Sequence, residues 1–82
     1  MKKEIFTMND YGHISIDIKS IMDRKGLTRY ELSKATSARF EVVNKWYNGT
    51  VERIDCDILA RMCYVLDCSP SDIIKYNPGN EN

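Results

Sequence analysis

Neither sign of charge is in excess: twelve Lys and Arg balance twelve Asp and Glu over 82 residues. That balance excludes a bulk polycation of the kind that coats any nucleic acid. Long apolar runs are missing too. Nothing approaches the ~18 residues a membrane span needs, and the start MKKEIFTMND has no apolar signal core. These absences predict a soluble, cytoplasmic chain with no membrane association. Cysteine is scarce and poorly spaced for a framework: Cys56, Cys63 and Cys68 form no Cys-x-x-Cys pair, and His13 is the only histidine. A disulfide scaffold or tetrahedral zinc site needs more ligands at closer spacing. The thiols therefore read as reduced, small apolar residues and His13 as solvated, with no metal and no cofactor expected. Ser/His/Asp groupings and Gly-rich phosphate loops are also lacking. A domain this small has little room for a pocket of ~300 Å³, so no enzyme and no small-molecule ligand are expected.

What is present is one small domain, 43% hydrophobic and 29% charged, too apolar for disorder. A chain of this size buries only about 60% of its unfolded surface, so its core must be efficient or shared with a partner. The zero net charge also hides an asymmetry. Residues 1–18 carry a balance of −1, residues 19–53 carry +4, and residues 54–82 carry −3. The basic middle is what a polyanion would meet.

Helix signals recur along the chain. Ile14, Ile18, Ile21 and Met22 share a stripe over Ser15–Lys25, closed by Gly26. Ile14, Ile16 and Ile18 also alternate, which leaves a short strand reaching Ser15 open. Thr28-Arg-Tyr-Glu31 spells a capping box, with Leu27 and Leu32 as the hydrophobic staple, and opens a short helix ending near Ala35. After Thr36-Ser37-Ala38 a new period runs from Arg39 to Tyr47. Val43 and Trp46 lie on its core side, and Phe40, Glu41, Asn44, Lys45 and Asn48 lie on another. Asn48-Gly49 stops it. Two short helices joined by a tight turn, the second with a polar outward face, read as a helix-turn-helix. A fourth helix follows the Asp55 cap, with Ile54 and Leu59 as a staple and Ile58/Leu59, Met62/Cys63 and Leu66 as the core stripe. Ser69-Pro70-Ser71-Asp72 opens a fifth, carrying Ile73, Ile74 and Tyr76. The expected fold is all-α, a compact five-helix domain with, at most, a short N-terminal strand. Its expected organisation is an arm over 1–13, a domain over 14–76 with its helix-turn-helix helices at about 28–35 and 39–47, and a tail over 77–82.

The order and spacing of Gly26-Leu27-Thr28, Glu31-Leu32-Ser33-Lys34, Val43-Asn44-Lys45-Trp46-Tyr47-Asn48-Gly49, Ile54, Leu59 and Leu66 to Ile74 resemble the Cro/lambda-repressor-like helix-turn-helix regulators, the xenobiotic-response-element (XRE) family. The resemblance implies a lambda-repressor-like DNA-binding domain whose third helix enters the major groove while the second lies across it. It implies transcription regulation by sequence-specific binding of a double-stranded DNA operator, with the helix at 39–47 in the groove and repression as the expected outcome. Two positions depart from the family pattern. Ser37 stands where Gly usually occupies a positive-φ turn, and Arg29 stands where Gln often opens the second helix.

Residues at the start of a recognition helix reach base edges, and flanking groups hold the backbone. The candidate base contacts are Arg39, Phe40, Glu41, Asn44 and Lys45. Arg39 suits guanine or a phosphate, and Phe40 suits a thymine methyl or folds back into the core. Glu41 accepts from cytosine or serves the helix start, and Asn44 suits adenine. Lys45 suits the groove or a phosphate, in competition with an i, i+4 pair to Glu41. Thr28, Arg29, Asn48 and Thr50 are the candidate phosphate contacts. A two-fold operator calls for a homodimer, through either the Ile-Ile-x-Tyr stretch of the fifth helix or a strand in the arm around Ile5-Phe6 and Ile14-Ser15-Ile16. The alternative is a protein-interaction module of the same fold, an antitoxin or co-regulator, using the acidic final third with Ile73, Ile74 and Tyr76.

Overall fold

The order of elements in the computed structural model is β1 (His13–Ile16), α1 (Lys19–Lys25), α2 (Arg29–Thr36), α3 (Phe40–Asn48), α4 (Cys56–Leu66), α5 (Pro70–Ile73) and β2 (Ile74–Asn77). The structure describes residues 4–5 and 10–79; the arm residue Phe6 and the tail beyond Gly79 lie outside the described residues.

Helices dominate, but the fold is not purely α. Strand β1 pairs antiparallel with β2, placing Ile14 opposite Tyr76 and Ile16 opposite Ile74. The alternation of Ile14, Ile16 and Ile18 therefore prevails over the helical spacing, and α1 begins at Lys19 rather than Ser15. The Asp17 carboxylate fixes that start by accepting from the Ser20 N–H at 3.0 Å and the Ser20 hydroxyl at 2.7 Å. At the other end of the chain only Ile73 of the Ile-Ile-x-Tyr stretch is helical, and Ile74 to Tyr76 form strand. Helix α5 closes after Ile73, and Ile74 turns to φ −109°, ψ 129°, the extended backbone that β-branched residues favour.

The caps form as the residues dictate. The Thr28 hydroxyl accepts from the Glu31 N–H while Glu31 accepts from the Thr28 N–H, and Asp55 accepts from the Asp57 and Ile58 N–H groups. Ser69 and Asp72 complete a second capping box. Helix α3 ends on Gly49 at φ 70°, where a Cβ would stand 3.2 Å from the Ile16 carbonyl oxygen, so the glycine also lets the end of α3 approach β1.

The core gathers Ile18, Ile21, Met22, Leu32, Ala38, Val43, Trp46, Met62, Leu66 and Ile73. Ile16 and Ile74 pack against it from the ribbon. Ile14, expected on the α1 core stripe, instead lies in β1 opposite Tyr76 and is 55% exposed. Cys63 and Cys68 are half-buried and Cys56 is exposed, all three as free thiols.

Candidate nucleic-acid interface

Helix α2 is set by its capping box and ends on Ser37, which adopts φ 56°, ψ 29°. The positive-φ turn between α2 and α3 is therefore kept without glycine. Its surroundings hold it. Arg61 of α4 donates to the Thr36 carbonyl at 3.2 Å and the Ser37 carbonyl at 3.4 Å, and pairs with Asp57 at 2.8 Å. The Ser33 hydroxyl donates to the Ala38 carbonyl at 2.6 Å from within α2. These bonds serve carbonyls that a helix end leaves open, and they fix where α3 begins.

Helix α3 starts after Arg39, whose extended backbone forms the N-cap without a side-chain cap bond. The positive end of the helix thus coincides with a guanidinium. Val43 and Trp46 are buried, and Arg39, Phe40, Glu41, Lys45 and Asn48 are exposed. Phe40 is 46% exposed and stays outside the core. Among the described residues the ion pairs are Lys19–Asp23 and Arg61–Asp57, so Lys45 is not tied to Glu41. Lys45 instead borders a shallow depression of about 220 Å³ with Val42, Trp46, Val51, Arg53, Asp55 and Ile58.

Arg29, Phe40 and Asn44 are brought into one cluster. The Arg29 guanidinium donates to Asn44 Oδ1, lies 4.7 Å over the centroid of Tyr47 and stands 6.0 Å from that of Phe40. Lys19 approaches the Tyr47 ring at 5.9 Å. Thr28 uses its hydroxyl oxygen to accept at 3.1 Å from Glu31, which leaves its O–H as a donor. Thr50 closes α3 by donating its N–H, at 3.0 Å, and its hydroxyl, at 3.4 Å, to the Lys45 carbonyl.

Two contributors escaped the sequence reading. Tyr47 lies at i+3 from Asn44 and i+7 from Phe40, a spacing that shows one stripe but gives no sign of a cation above it. Arg61 acts across 24 residues of chain, and no local pattern reports such a bond.

Among the described residues no helix is long and apolar enough to cross a membrane. No curated protein matches the chain in sequence. Its fold is similar to that of a candidate DNA-binding protein from Bacteroides fragilis, with a TM-score of 0.67 and 17% identity over 77% of this chain and 100% of that one. It is also similar to the transcriptional regulator VanUg, with a TM-score of 0.63 and 19% identity over 94% of this chain and 100% of that one. At these identities the likeness is one of fold. The model of the Cro/C1-type HTH DNA-binding domain matches residues 17–79, from the Asp17 turn to just past β2, and so takes in all five helices. The chain belongs to the family of Cro/C1-type helix-turn-helix DNA-binding domains.

Proposed function

We propose that the chain is a transcriptional regulator that binds a double-stranded DNA operator sequence-specifically, with α3 in the major groove. The carrying observation is the two-sided character of α3: Val43 and Trp46 seal one side into the core, while Arg39, Phe40, Glu41 and Lys45 stand exposed on the other. Helix α3 has the length and the uncapped, basic start that suit a groove. On this reading Arg39, Phe40, Glu41, Asn44 and Lys45 face base edges, and Thr28, Arg29, Asn48 and Thr50 face the backbone. The outcome we assign is repression, since a domain seated on an operator excludes other proteins from the base pairs it covers.

The same reading makes the regulator a homodimer, because a two-fold operator needs two copies of α3 about one helical turn apart. Of the two dimer surfaces that the sequence suggests, Ile14-Ser15-Ile16 of the arm and Ile74 and Tyr76 of the other stretch lie on paired strands of one ribbon. On this reading the dimer forms through the apolar face that carries the exposed cross-strand pair Ile14 and Tyr76. The test is selection from a randomised duplex library at low salt, followed by fluorescence anisotropy at rising salt. Enrichment of a motif with two-fold symmetry is expected. Each neutralised phosphate contributes about −0.9 to the slope of log K against log salt, so roughly four to six contacts per protomer give about −3.6 to −5.4. Weak binding with no enriched motif would sink this reading and redirect the search to a protein partner.

A further inference from the structure

Cys63 and Cys68 are five residues apart, a spacing that an uninterrupted helix would turn onto different faces. The end of α4 changes that. Asp67 takes φ 53°, and the Cys63 carbonyl then accepts from the Asp67 N–H and, at 3.0 Å, from the Cys68 N–H. This is the Schellman closure of a helix, in which the two residues so joined commonly meet through apolar side chains. Here both residues are cysteines. Adding standard bond lengths to the 3.0 Å hydrogen bond keeps their Cα atoms within about 7 Å, the outer limit that a disulfide spans.

Both thiols are free, half-buried and packed against the core. The Cys68 thiol is pushed up by burial and then by Cys63 beside it. Cys56 has no such neighbour: it lies on the same helix seven residues before Cys63, about 10.5 Å along the axis. We propose that Cys63 and Cys68 form a dithiol site that a peroxide converts into an intrachain disulfide. The site stands apart from the DNA-reading role. Because Cys68 immediately precedes the Ser69 cap, the bond ties the end of α4 to the start of α5.

The chemistry runs in two steps. The Cys63 thiolate attacks one peroxide oxygen, the O–O bond breaks, and Cys63 becomes a sulfenic acid as water leaves. Cys68 then attacks the sulfenic sulfur; the S–S bond forms, the S–O bond breaks, and the oxygen departs as a second water with the Cys68 proton. Two thiols lose two electrons and the peroxide gains them. Burial holds Cys68 in its thiol form, which assigns the first attack to Cys63.

The full chain is treated with hydrogen peroxide, alkylated with iodoacetamide in urea, digested with trypsin and mapped by mass spectrometry. Cleavage after Arg53, Arg61 and Lys75 puts both cysteines in peptide 62–75 and Cys56 in peptide 54–61. Peptide 62–75 is expected to lack two hydrogens, to take up no alkyl group, and to recover both thiols after dithiothreitol. Cys56→Ser, which removes the exposed thiol, is expected to leave that result unchanged. In Cys68→Ser the sulfenic acid has no partner, and dimedone is expected to trap it on Cys63; in Cys63→Ser the adduct is expected to be lost. Two alkyl groups on peptide 62–75 after peroxide, a sulfinic acid there without a link, or a link between chains overturns the site. Equal dimedone adducts in the two variants overturn the order of attack. The wild-type map needs no substitution, so it decides the matter even where a variant fails to fold.

Discussion

Ser37 carries the most instructive strain in the molecule. It holds φ 56°, which for a residue with a Cβ costs about 1–2 kcal/mol relative to the right-handed region. Arg61 offsets part of that by donating to the two carbonyls at the turn. Ser37→Gly is expected to stabilise the domain by about 0.5–1 kcal/mol, the relief being partly offset by the freer unfolded chain. Arg61→Ala is expected to destabilise it by about 1 kcal/mol, the net worth of a typical hydrogen bond. Urea unfolding followed by the fluorescence of Trp46, the single and buried tryptophan, reads both as shifts in midpoint at constant m. The thiols give a second expectation at this scale. Burial pushes the Cys68 thiol up, with Cys63 and Asp72 adding to it, while Cys56 stands exposed on the first turn of α4. A thiol reagent on the native protein is expected to label Cys56 first and Cys68 only slowly; equal rates by mass spectrometry would contradict the burial argument.

The helix starts and the ribbon are where elements meet one another. The Asp17 carboxyl is held below its ordinary range by the Ser20 N–H and then the Ser20 hydroxyl, and Asp72 likewise by the Ser69 N–H and hydroxyl. Both carboxylates are more acidic folded than unfolded. Their contribution is therefore complete above the unfolded value near ~3.9 and is lost as pH falls through the lowered folded values. The urea midpoint is expected to drop as pH falls below about 4, and less steeply in Asp17→Asn, which cannot gain a proton. An identical slope in the variant would remove Asp17 from the account. In the ribbon the Asp17 N–H donates to the Ile73 carbonyl at 2.9 Å, so the antiparallel alternation makes Ser15–Lys75 a hydrogen-bonded pair and Ile14–Tyr76 a close-packed one. Gly12 lets the strands close. At φ 90° it lies so near the Asn77 carbonyl that a Cβ would strike it. Gly12→Ala is expected to open this end, lowering hydrogen-exchange protection at Ser15 and Lys75 while circular dichroism keeps its helical signal.

At the scale of the whole molecule the ribbon face and the recognition helix complement each other. Ile16 and Ile74 seal the ribbon onto the core, and Ile14, 55% exposed, and Tyr76, 58% exposed, continue the same apolar face outward. If this face joins two copies, Tyr76→Glu places a charge in it. The variant is expected to sediment as a monomer where wild type is a dimer, and its salt slope on operator DNA should fall by about half. A monomeric wild type at high micromolar concentration would move the dimer elsewhere. The balance of +4 over residues 19–53 covers α1 to α3, so the basic part of the chain is also the part that carries the helix-turn-helix.

The sequence alone determined the features written in neighbouring residues. The Thr28–Glu31 box, the Asp55 cap, the glycine ends at Gly26 and Gly49 and the burial of Val43 and Trp46 all follow from spacings of a few residues. The positive φ at Ser37 was implied by the resemblance, which sets that residue where the family usually carries Gly, and the structure keeps the turn there. Only the tertiary structure decided the ends of the domain. Ile14 to Ile18 and Ile73 to Tyr76 each carry a pattern that a helix or a strand satisfies, and neither strand is stable until the other lies beside it, 60 residues away. The Arg29–Asn44 bond and the Arg61 clamp belong to the same class. Their donors and acceptors are ordinary surface residues until folding brings distant helices together, and hydrogen bonds made across that distance leave no period in the chain.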